Sequence, residues 1–422
     1  MNLTQTYAAV IGKSHEAAEI GPAESRNGLI HLLALILTKT GDGLVDPKLV
    51  LTWVLQTLGA PAAFIGALVP LREALALLPQ ALLSLRVQAA RRRRLFWSAG
   101  SAIQGLSALG MAVSVATLEG AAAGWAIVSL LAVFSLARSM CSVSYKDVLA
   151  RTLPKTRRGS ITGAAASIAA LLVFIFAASL AARLLPLSVA TIAWAIAAGS
   201  IGWLIASVFF TRLEETPEPG SEREPNNRIL QPLLEDRHLQ RFILTRALLV
   251  STALAPPFLI LASGAGNSSS VGHLGILMIA SAAASVASSW AWGRLSDRSS
   301  RRTLALSAGL AALVLGTSSG IVFATGGLFG TLGTGAAIFA IQVAYEGVRA
   351  GRKLHLTDMA DDRSRARYTA ASNTIIGAVL ILGGTLGFLN DITGVGGVLV
   401  LLASLSALAI PIALTLQEVQ TP

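Results

Sequence analysis

Charged residues and cysteine are both scarce in this chain. Only 13% of its 422 residues are charged, about half of the roughly 25% that is usual in soluble domains. The single cysteine, Cys141, excludes an intramolecular disulfide. The five histidines are scattered and lack the spacing of metal ligands. The composition therefore excludes a disulfide-stapled domain, and we expect neither a metal site nor a cofactor.

Apolar residues are abundant instead. They make up 54% of the chain, and the mean hydropathy is +0.67. Apolar stretches of about 20 residues, the length that crosses a bilayer core of about 30 Å, recur at short intervals. Their apolar and polar residues do not alternate as in barrel strands, so the spans are expected to be helical. The sequence therefore predicts an all-α polytopic membrane protein with the lipid bilayer as its surroundings.

Twelve transmembrane helices are predicted, in two sets of six. The first six spans are 28–47, 61–83, 95–117, 121–143, 161–185 and 187–210. The second six are 241–263, 273–292, 303–325, 328–348, 368–390 and 394–416. The polar segment 211–240 between them is rich in Pro, Glu and Asn, which indicates a mobile linker. The predicted domains are a cytoplasmic segment 1–27, a bundle 28–210, a cytoplasmic linker 211–240, a bundle 241–416 and a cytoplasmic tail 417–422.

Basic residues outnumber acidic ones, and the net charge is +11. In a soluble protein this excess would favour a nucleic-acid partner, but here most basic residues fall in the polar gaps on one side of the predicted topology. The opposite connections carry few, with Lys48 and Arg183 as the exceptions. By the positive-inside rule the basic side is cytoplasmic. We therefore expect no nucleic acid partner, a location in the cytoplasmic (inner) membrane, and both termini in the cytoplasm.

Two short repeats relate the two sets of spans. The segment ILTK, 36–39, recurs as ILTR, 243–246, which is 207 positions later. The segment around Thr162 matches the one around Thr369 at the same offset. Two matches with one offset, each at equivalent spans, indicate duplication. The two bundles are therefore predicted to be pseudo-symmetric six-helix units.

The loop WGRLSDRSSRRTL, 292–304, joins spans 8 and 9 and contains a specific pattern. Its glycine, aspartate and arginines resemble the loop motif of the major facilitator superfamily of secondary transporters, and the resemblance covers essentially the whole chain. Its helix-start aspartate is expected to accept exposed N–H groups, and its glycine to permit close helix packing. The resemblance implies two bundles that work by alternating access and a cytoplasmic gate formed by Gly293, Asp297, Arg298, Arg301 and Arg302.

The equivalent loop of the first half departs from this pattern. Ser84 stands in place of the glycine and Gln88 in place of the aspartate. The first-half gate is therefore in doubt or built differently. In spans 1 and 2, Gly41, Asp42 and Arg72 resemble an exporter-like branch of the superfamily, whereas span 5 lacks the Gly-Pro motif of drug/proton antiporters.

Ionisable residues interrupt several spans. A basic residue that faces lipid at mid-bilayer costs about 2.5–3.5 kcal/mol, so these groups are expected to face protein or water. In span 1 three of them have the spacing i, i+3, i+7 and share one helical face, and the first two are expected to neutralise each other or a partner. The candidates for the substrate or proton pathway are Lys39, Asp42, Asp46, Arg72, Arg138, Arg246 and Glu346.

Two roles are open for these charges. In one, the charged residues of spans 1, 4, 7 and 10 form salt bridges that close the inner gate. In the other, Asp42 or Glu346 exchanges a proton while a basic neighbour binds substrate or replaces that proton. Glu73 is expected to serve in helix packing. Lys146 corresponds to Lys353 at the repeat offset, and both are expected in surface loop contacts.

The sequence thus predicts a transporter and not an enzyme. It would move a small-molecule substrate by alternating access, with proton coupling and export as the preferred details and a monomer as the expected state. A transport-inactive receptor or scaffold built on the same fold is the alternative, and the altered first-half loop is the feature that favours it.

Overall fold

The computed structural model describes residues 3–10, 20–215, 231–263, 271–328, 330–360 and 365–420, and its regular secondary structure in these ranges is helical. The helices of the first half are α1 (Leu3–Val10), α2 (Pro22–Leu44), α3 (Val50–Thr57), α4 (Ala62–Leu77), α5 (Gln80–Ala89), α6 (Arg94–Thr117), α7 (Gly120–Thr152), α8 (Lys155–Ala181) and α9 (Val189–Phe210). Those of the second half are α10 (Gln231–Glu235), α11 (Arg237–Leu261), α12 (Val271–Arg298), α13 (Ser300–Thr325), α14 (Gly330–Met359), α15 (Arg365–Gly383) and α16 (Leu386–Leu414).

The long helices form twelve spans, six in each half. Among the described residues, eight helices are individually long and apolar enough to cross a membrane. The other spans are α2 with α3, α4 with α5, α14, and α15 with the first turns of α16. These spans are interrupted or carry several charges, which is why each falls short on its own. The expected all-α fold of two six-helix bundles is confirmed.

Span 1 is longer and less regular than predicted. α2 ends at Leu44, residues 45–49 are not helical, and α3 continues to Thr57. In the break, the Thr52 hydroxyl donates to the Pro47 carbonyl oxygen at 2.8 Å, and the backbone N–H of Lys48 donates to the Asp46 carboxylate at 3.3 Å. Irregular backbone at membrane depth is tolerated only where protein or water meets its polar groups. The assignment of Lys48 to an outer loop was therefore wrong.

Spans 11 and 12 meet at a kink within α16. Gly394 has φ of 71° there, a left-handed conformation that glycine adopts without steric cost. The predicted start of span 12 at residue 394 coincides with this kink. Residues 386–393 therefore extend span 11 beyond the end of α15.

The first residues of the predicted linker belong to the folded first half. The Glu215 carboxylate is buried and accepts hydrogen bonds from the backbone N–H groups of Arg93 (3.1 Å) and Arg94 (3.0 Å) at the start of α6. Asn27 exchanges two hydrogen bonds with the backbone of Glu214, at 3.1 and 2.9 Å. The mobile linker expected over 211–240 is therefore wrong for its first residues, and 216–230 lie outside the described residues.

The two halves repeat one packing scheme. In the first half α6 packs against α7 and α9, and α9 packs against α2; in the second half α13 packs against α14 and α16, and α16 packs against α11. One side-chain contact repeats as well. Arg158 donates to the Leu153 carbonyl oxygen at 2.9 Å, and Arg365, 207 positions later, donates to that of Ala360 at 3.3 Å. The predicted pseudo-symmetry is confirmed.

The halves contact each other away from the arginine-rich loops. We call the bundle end with the α5–α6, α7–α8 and α12–α13 loops the basic side. At the opposite side backbones touch: a Cβ on Gly387 would lie 2.5 Å from Ala63 Cα, and one on Gly275 would lie 2.6 Å from the Ala177 oxygen. Each described ion pair joins residues of one half. The described residues therefore leave the halves unlinked by ion pairs at the basic side.

The two adjacent glutamates at the end of the first half allow a matched stability test. Glu215→Ala leaves the backbone N–H groups at the start of α6 without their buried acceptor, and we expect it to cost about 2–3 kcal/mol. Glu214→Ala removes a surface ion pair with Arg26 and is expected to cost under about 1 kcal/mol. Thermal unfolding in detergent measures both. Equal melting temperatures for the two variants would contradict this account of Glu215.

Candidate functional site

A cavity of about 620 Å³ lies between the two halves. This is within the range of about 300–1,000 Å³ that is typical of small-molecule sites. Its wall is formed by α4 and α7 of the first half and by α11, α12, α14 and α15 of the second. Lys146, Lys353 and Leu356 line it near the basic-side ends of α7 and α14. The cavity therefore reaches from the bundle centre towards the basic side.

The cavity wall carries an excess of positive charge. Two acidic residues line it, Glu73 and Glu346. The basic residues in its wall are Lys146, Arg246, Arg349, Arg352 and Lys353. Apolar side chains fill much of the remaining wall: Leu77, Leu249, Val250, Trp292, Ile376 and Leu380. The site is therefore suited to a solute with an apolar body and a charged or polar group.

Glu346 is a largely buried carboxylate whose charge is stabilised by protein side chains. Its side chain is only 12% exposed and forms an ion pair with Arg349, one turn later on α14, at 3.0 Å. Ser285 and Gln342 donate hydrogen bonds to the same oxygen at 3.2 and 3.0 Å. The structure therefore places this predicted pathway residue in the cavity wall, with a partner in its own half.

Arg246 lies deep in the cavity wall and lacks a carboxylate partner among the described residues. It is 8% exposed. Its guanidinium donates to the Ser372 hydroxyl at 2.5 Å and to the Asn373 side-chain oxygen at 3.5 Å, both on α15. Its buried Nε has no hydrogen-bond acceptor in the part of the chain described. A buried charge is ordinarily paired, so this cation stands out.

Lys48 contacts the cavity wall through Tyr345. The Lys48 ammonium lies 3.5 Å from the centroid of the Tyr345 ring, which lines the cavity. It also interacts electrostatically with Glu73 and Asp46. A cation above an aromatic face is attracted by the ring quadrupole, by up to about 2 kcal/mol where water is excluded. This contact joins α14 of the second half to the broken span 1 of the first.

Asp42 connects three helices of the first half. Its carboxylate accepts from Arg138 of α7 at 2.5 Å and from Arg72 of α4 at 3.3 Å. The guanidinium of Arg72 also lies 5.1 Å from the centroid of the Phe134 ring. The interior position predicted for these three residues thus agrees with the geometry, but the predicted inner-gate salt bridges between halves are not formed among the described residues.

Lys39 differs from its expected role. Its side chain is exposed and forms neither a hydrogen bond nor an ion pair with the described residues. Of the two alternatives expected for Asp42, neutralisation by Lys39 does not occur and neutralisation by other partners does, because two arginines occupy that carboxylate. Asp46 lies in the span 1 break, beyond the end of α2, and accepts from the backbone N–H of Lys48, so the helical face predicted for Lys39, Asp42 and Asp46 was wrong for Asp46.

The loop motif between α12 and α13 is arranged differently from the expectation. Ser299, not Asp297, caps α13, and its hydroxyl accepts from the backbone N–H of Arg302 at 3.3 Å. A Cβ on Gly293 would meet nothing within 4 Å, so no helix approaches closely there. Arg301 pairs with Glu418 at 3.1 Å, while Asp297, Arg298 and Arg302 are exposed. The gate role of the motif stays a prediction, and the side chains of Ser84 and Gln88 lie outside those described.

Three residues of the cavity wall were predicted from the sequence to have other roles. Glu73 was expected to serve in packing and lines the cavity instead, as do Lys146 and Lys353, which were expected in loop contacts. A signal for the two lysines was present, because they correspond at the repeat offset. Pseudo-symmetry places such a pair on equivalent helices, here α7 and α14, that face one another across the cavity.

The carboxylate of Asp236, which lies outside the membrane-spanning segments, has a pKa below its usual range. Asp236 caps α11: its carboxylate accepts from the backbone N–H of His238 at 2.7 Å and from the Tyr368 hydroxyl at 2.7 Å. Burial acts in the opposite direction, but these hydrogen bonds prevail and lower the pKa of Asp236. Its stabilising contribution is therefore present at neutral pH and is lost as the pH falls through the lowered value.

Solved transporter structures share this architecture. The nucleoside transporter NupG superposes with a TM-score of 0.65 at 13% identity, over 94% of this chain and 99% of that one. A POT family transporter in complex with a thioalcohol-conjugated peptide gives 0.69 at 11% identity, over 92% and 95%. The xylose transporter XylE from E. coli, in an inward-open conformation, gives 0.63 at 11% identity, over 93% and 96%. Neither a family model nor a curated protein sequence matches the chain.

The Asp42 network predicts an order of stabilities. Asp42→Asn leaves Arg72 and Arg138 both without their carboxylate, whereas Arg138→Gln leaves the Arg72–Asp42 pair in place. Breaking a buried pair costs about 3–5 kcal/mol, and we expect Asp42→Asn to approach that range and Arg138→Gln to cost less. Melting temperatures of the purified variants test this order. A less stable Arg138→Gln protein would contradict it.

Proposed function

We propose that this chain, which has the fold of the major facilitator superfamily of transporters, is a secondary active transporter that moves a small solute by alternating access. The observation that carries the proposal is the cavity between two pseudo-symmetric halves. The halves contact each other at the side opposite the arginine-rich loops, and the described residues form no ion pair between the halves at the basic side. Rocking of two such halves about a central site exposes it to each side in turn.

The basic side is proposed to face the cytoplasm, since loops rich in Lys and Arg are retained there. With that orientation the conformation described is inward-open, as in the XylE structure it resembles. Both termini would be cytoplasmic and the membrane would be the inner one. The monomeric state stays a prediction.

Lys48 and Tyr345 are proposed to hold the opposite side closed. Their cation–π contact crosses between the halves. An outward-open state requires this contact to separate. Lys48 lies in the break of span 1, and its contact with Tyr345 supports a part in this closure.

Proton coupling and export are the proposed details of transport. A structural neighbour is a D-xylose–proton symporter, and Glu346 and Asp42 are carboxylates in the interior of the bundle that can exchange a proton. Export rests on the resemblance of Gly41, Asp42 and Arg72 to an exporter-like branch. In the conformation described both carboxylates are paired with arginine, so each would exchange its proton in another state of the cycle.

A transport-inactive receptor or scaffold is the second candidate, and solute counterflow separates it from a transporter. Proteoliposomes are loaded with uridine, dialanine, xylose or benzoate, and entry of the labelled solute is followed. A transporter is expected to exchange at least one of them above protein-free liposomes. Absence of exchange for all four would favour the receptor.

Proton coupling predicts different effects on net transport and on exchange. In Glu346→Gln a proton can no longer be released from this side chain, so pH-driven uptake is expected to fall at least about ten-fold while counterflow remains. Asp42→Asn is compared in the same assay. If both variants keep pH-driven uptake at the level of the unmodified protein, coupling through these carboxylates is rejected.

The proposed orientation predicts labelling from one face of the membrane. Ser289 is exposed and lines the cavity, whereas Leu184 is exposed at the opposite side and Cys141 is buried. Ser289→Cys is expected to react with a membrane-impermeant thiol reagent in inside-out vesicles, and Leu184→Cys in right-side-out vesicles. The unmodified protein measures the background from Cys141. The reverse pattern would place the basic side outside.

A further inference from the structure

We infer that the solute is an organic anion whose carboxylate or phosphate group binds Arg246 in the central cavity. The inference rests on the proposed transport function and specifies its substrate class. It is carried by a buried guanidinium without a counter-ion, by two further lysines related by the pseudo-symmetry, and by an apolar wall beside them.

Arg246 is the central observation. Its buried side chain holds two neutral partners, Ser372 and Asn373, which orient the guanidinium and leave its charge uncompensated. The charged neighbour that acts on it is a second cation, Arg352. Removal of a cation from water is costly unless an anion accompanies it. The unpaired Nε, together with the planar donor fork of arginine, suits a carboxylate or a phosphate.

Lys146 and Lys353 extend the positive site to both halves. They are 207 positions apart, lie on the equivalent helices α7 and α14, and both line the cavity. Neither forms an ion pair with the described residues. An anion that binds Arg246 and these lysines touches both halves, so its binding favours their approach at the basic side. That is the movement which would enclose a solute before the opposite side opens.

The other ionic residues of the cavity do not cancel this charge. Glu346 is occupied by Arg349, and neither Glu346 nor Glu73 forms an ion pair with Arg246 among the described residues. Lys353 and Arg352 lie near the basic side, and the positive-inside rule alone accounts for basic residues at that position. Arg246 differs from these rim residues, because it is buried on α11 and hydrogen-bonded to Ser372 of α15.

The apolar part of the wall indicates an organic anion and not a bare inorganic one. Leu249 and Val250 follow Arg246 along α11, and Ile376 and Leu380 face the cavity from α15. A volume of about 620 Å³ holds far more than a single phosphate ion. The anionic head is therefore placed at Arg246 and the apolar body along α11 and α15.

Matched pairs of solutes test the charge requirement. The purified full chain is melted with benzoate or benzamide, hexanoate or hexanamide, and phenyl phosphate or phenol. Because a ligand stabilises the state that binds it, an anion at about 100 times its Kd is expected to raise the melting temperature by a few degrees. The neutral members are expected to have no effect. Stabilisation by neutral members, or by none of the six, overturns the inference.

Substitutions of Arg246 test whether the stabilising anion binds at this residue. Arg246→Gln is expected to weaken binding of the stabilising anion at least about ten-fold, and Arg246→Lys, which keeps the charge but not the donor fork, to weaken it less. Arg212→Gln is the control, because Arg212 is exposed and outside the cavity wall. An anion effect that persists in Arg246→Gln, or is lost equally in Arg212→Gln, contradicts the site. If Arg246→Gln does not fold, anion binding by Arg246→Lys is compared with that by Arg212→Gln, and equal binding by the two variants contradicts the site.

Counterflow distinguishes failure of this inference from failure of the proposed function. Exchange of benzoate that Arg246→Gln abolishes supports both. Exchange of xylose or uridine that Arg246→Gln leaves unchanged upholds transport and rejects the anion. Stabilisation by benzoate without exchange of any solute upholds the anion site and rejects transport.

Discussion

The pairing of charges buried between helices is the constraint on which the rest of this structure depends. In the low dielectric of a bundle interior an ionic group is costly unless an opposite charge or several dipoles accompany it. In the first half, the Asp42 carboxylate meets this requirement for Arg72 and Arg138 together and so fixes α2, α4 and α7 relative to one another. In the described part of the second half, Arg246 has no carboxylate partner and is held by the neutral side chains of Ser372 and Asn373.

The duplicated halves therefore share a scaffold and differ in the use of their charges. Equivalent helices pack alike, and the contacts of Arg158 and Arg365 repeat at one offset. Lys39 and Arg246 also correspond, yet one is exposed and the other is buried against α15. Packing repeats between the halves because it is set by apolar faces over many residues, whereas the surroundings of a single charged residue differ between equivalent helices.

Hydropathy and the helical period were enough to predict the spans, the duplication and the interior position of Asp42, Arg72 and Arg138. The hydrogen-bond and ion-pair partners of these residues were not predictable. Asp42 binds residues 30 and 96 positions away, and no local pattern encodes that choice. Lys48 was misplaced because Asp-Pro-Lys has the composition of a surface turn whether it ends a helix or interrupts one. The helix-capping role of Ser299 was missed because the motif directs attention to its acidic residue.

The glycine contacts of the opposite side have a mechanical consequence. At Gly66 and Gly387 backbone meets backbone: a Cβ on Gly66 would lie 2.6 Å from the Gly387 nitrogen, and the nearest side chain is the Phe258 ring at 3.4 Å. The basic-side end of α5 is 23 residues from Gly66, a lever arm of about 35 Å at 1.5 Å per residue. A tilt of about 10° at this contact shifts the far end by roughly 6 Å. A small change of angle between the halves is therefore enough to change the width of the cavity at the basic side.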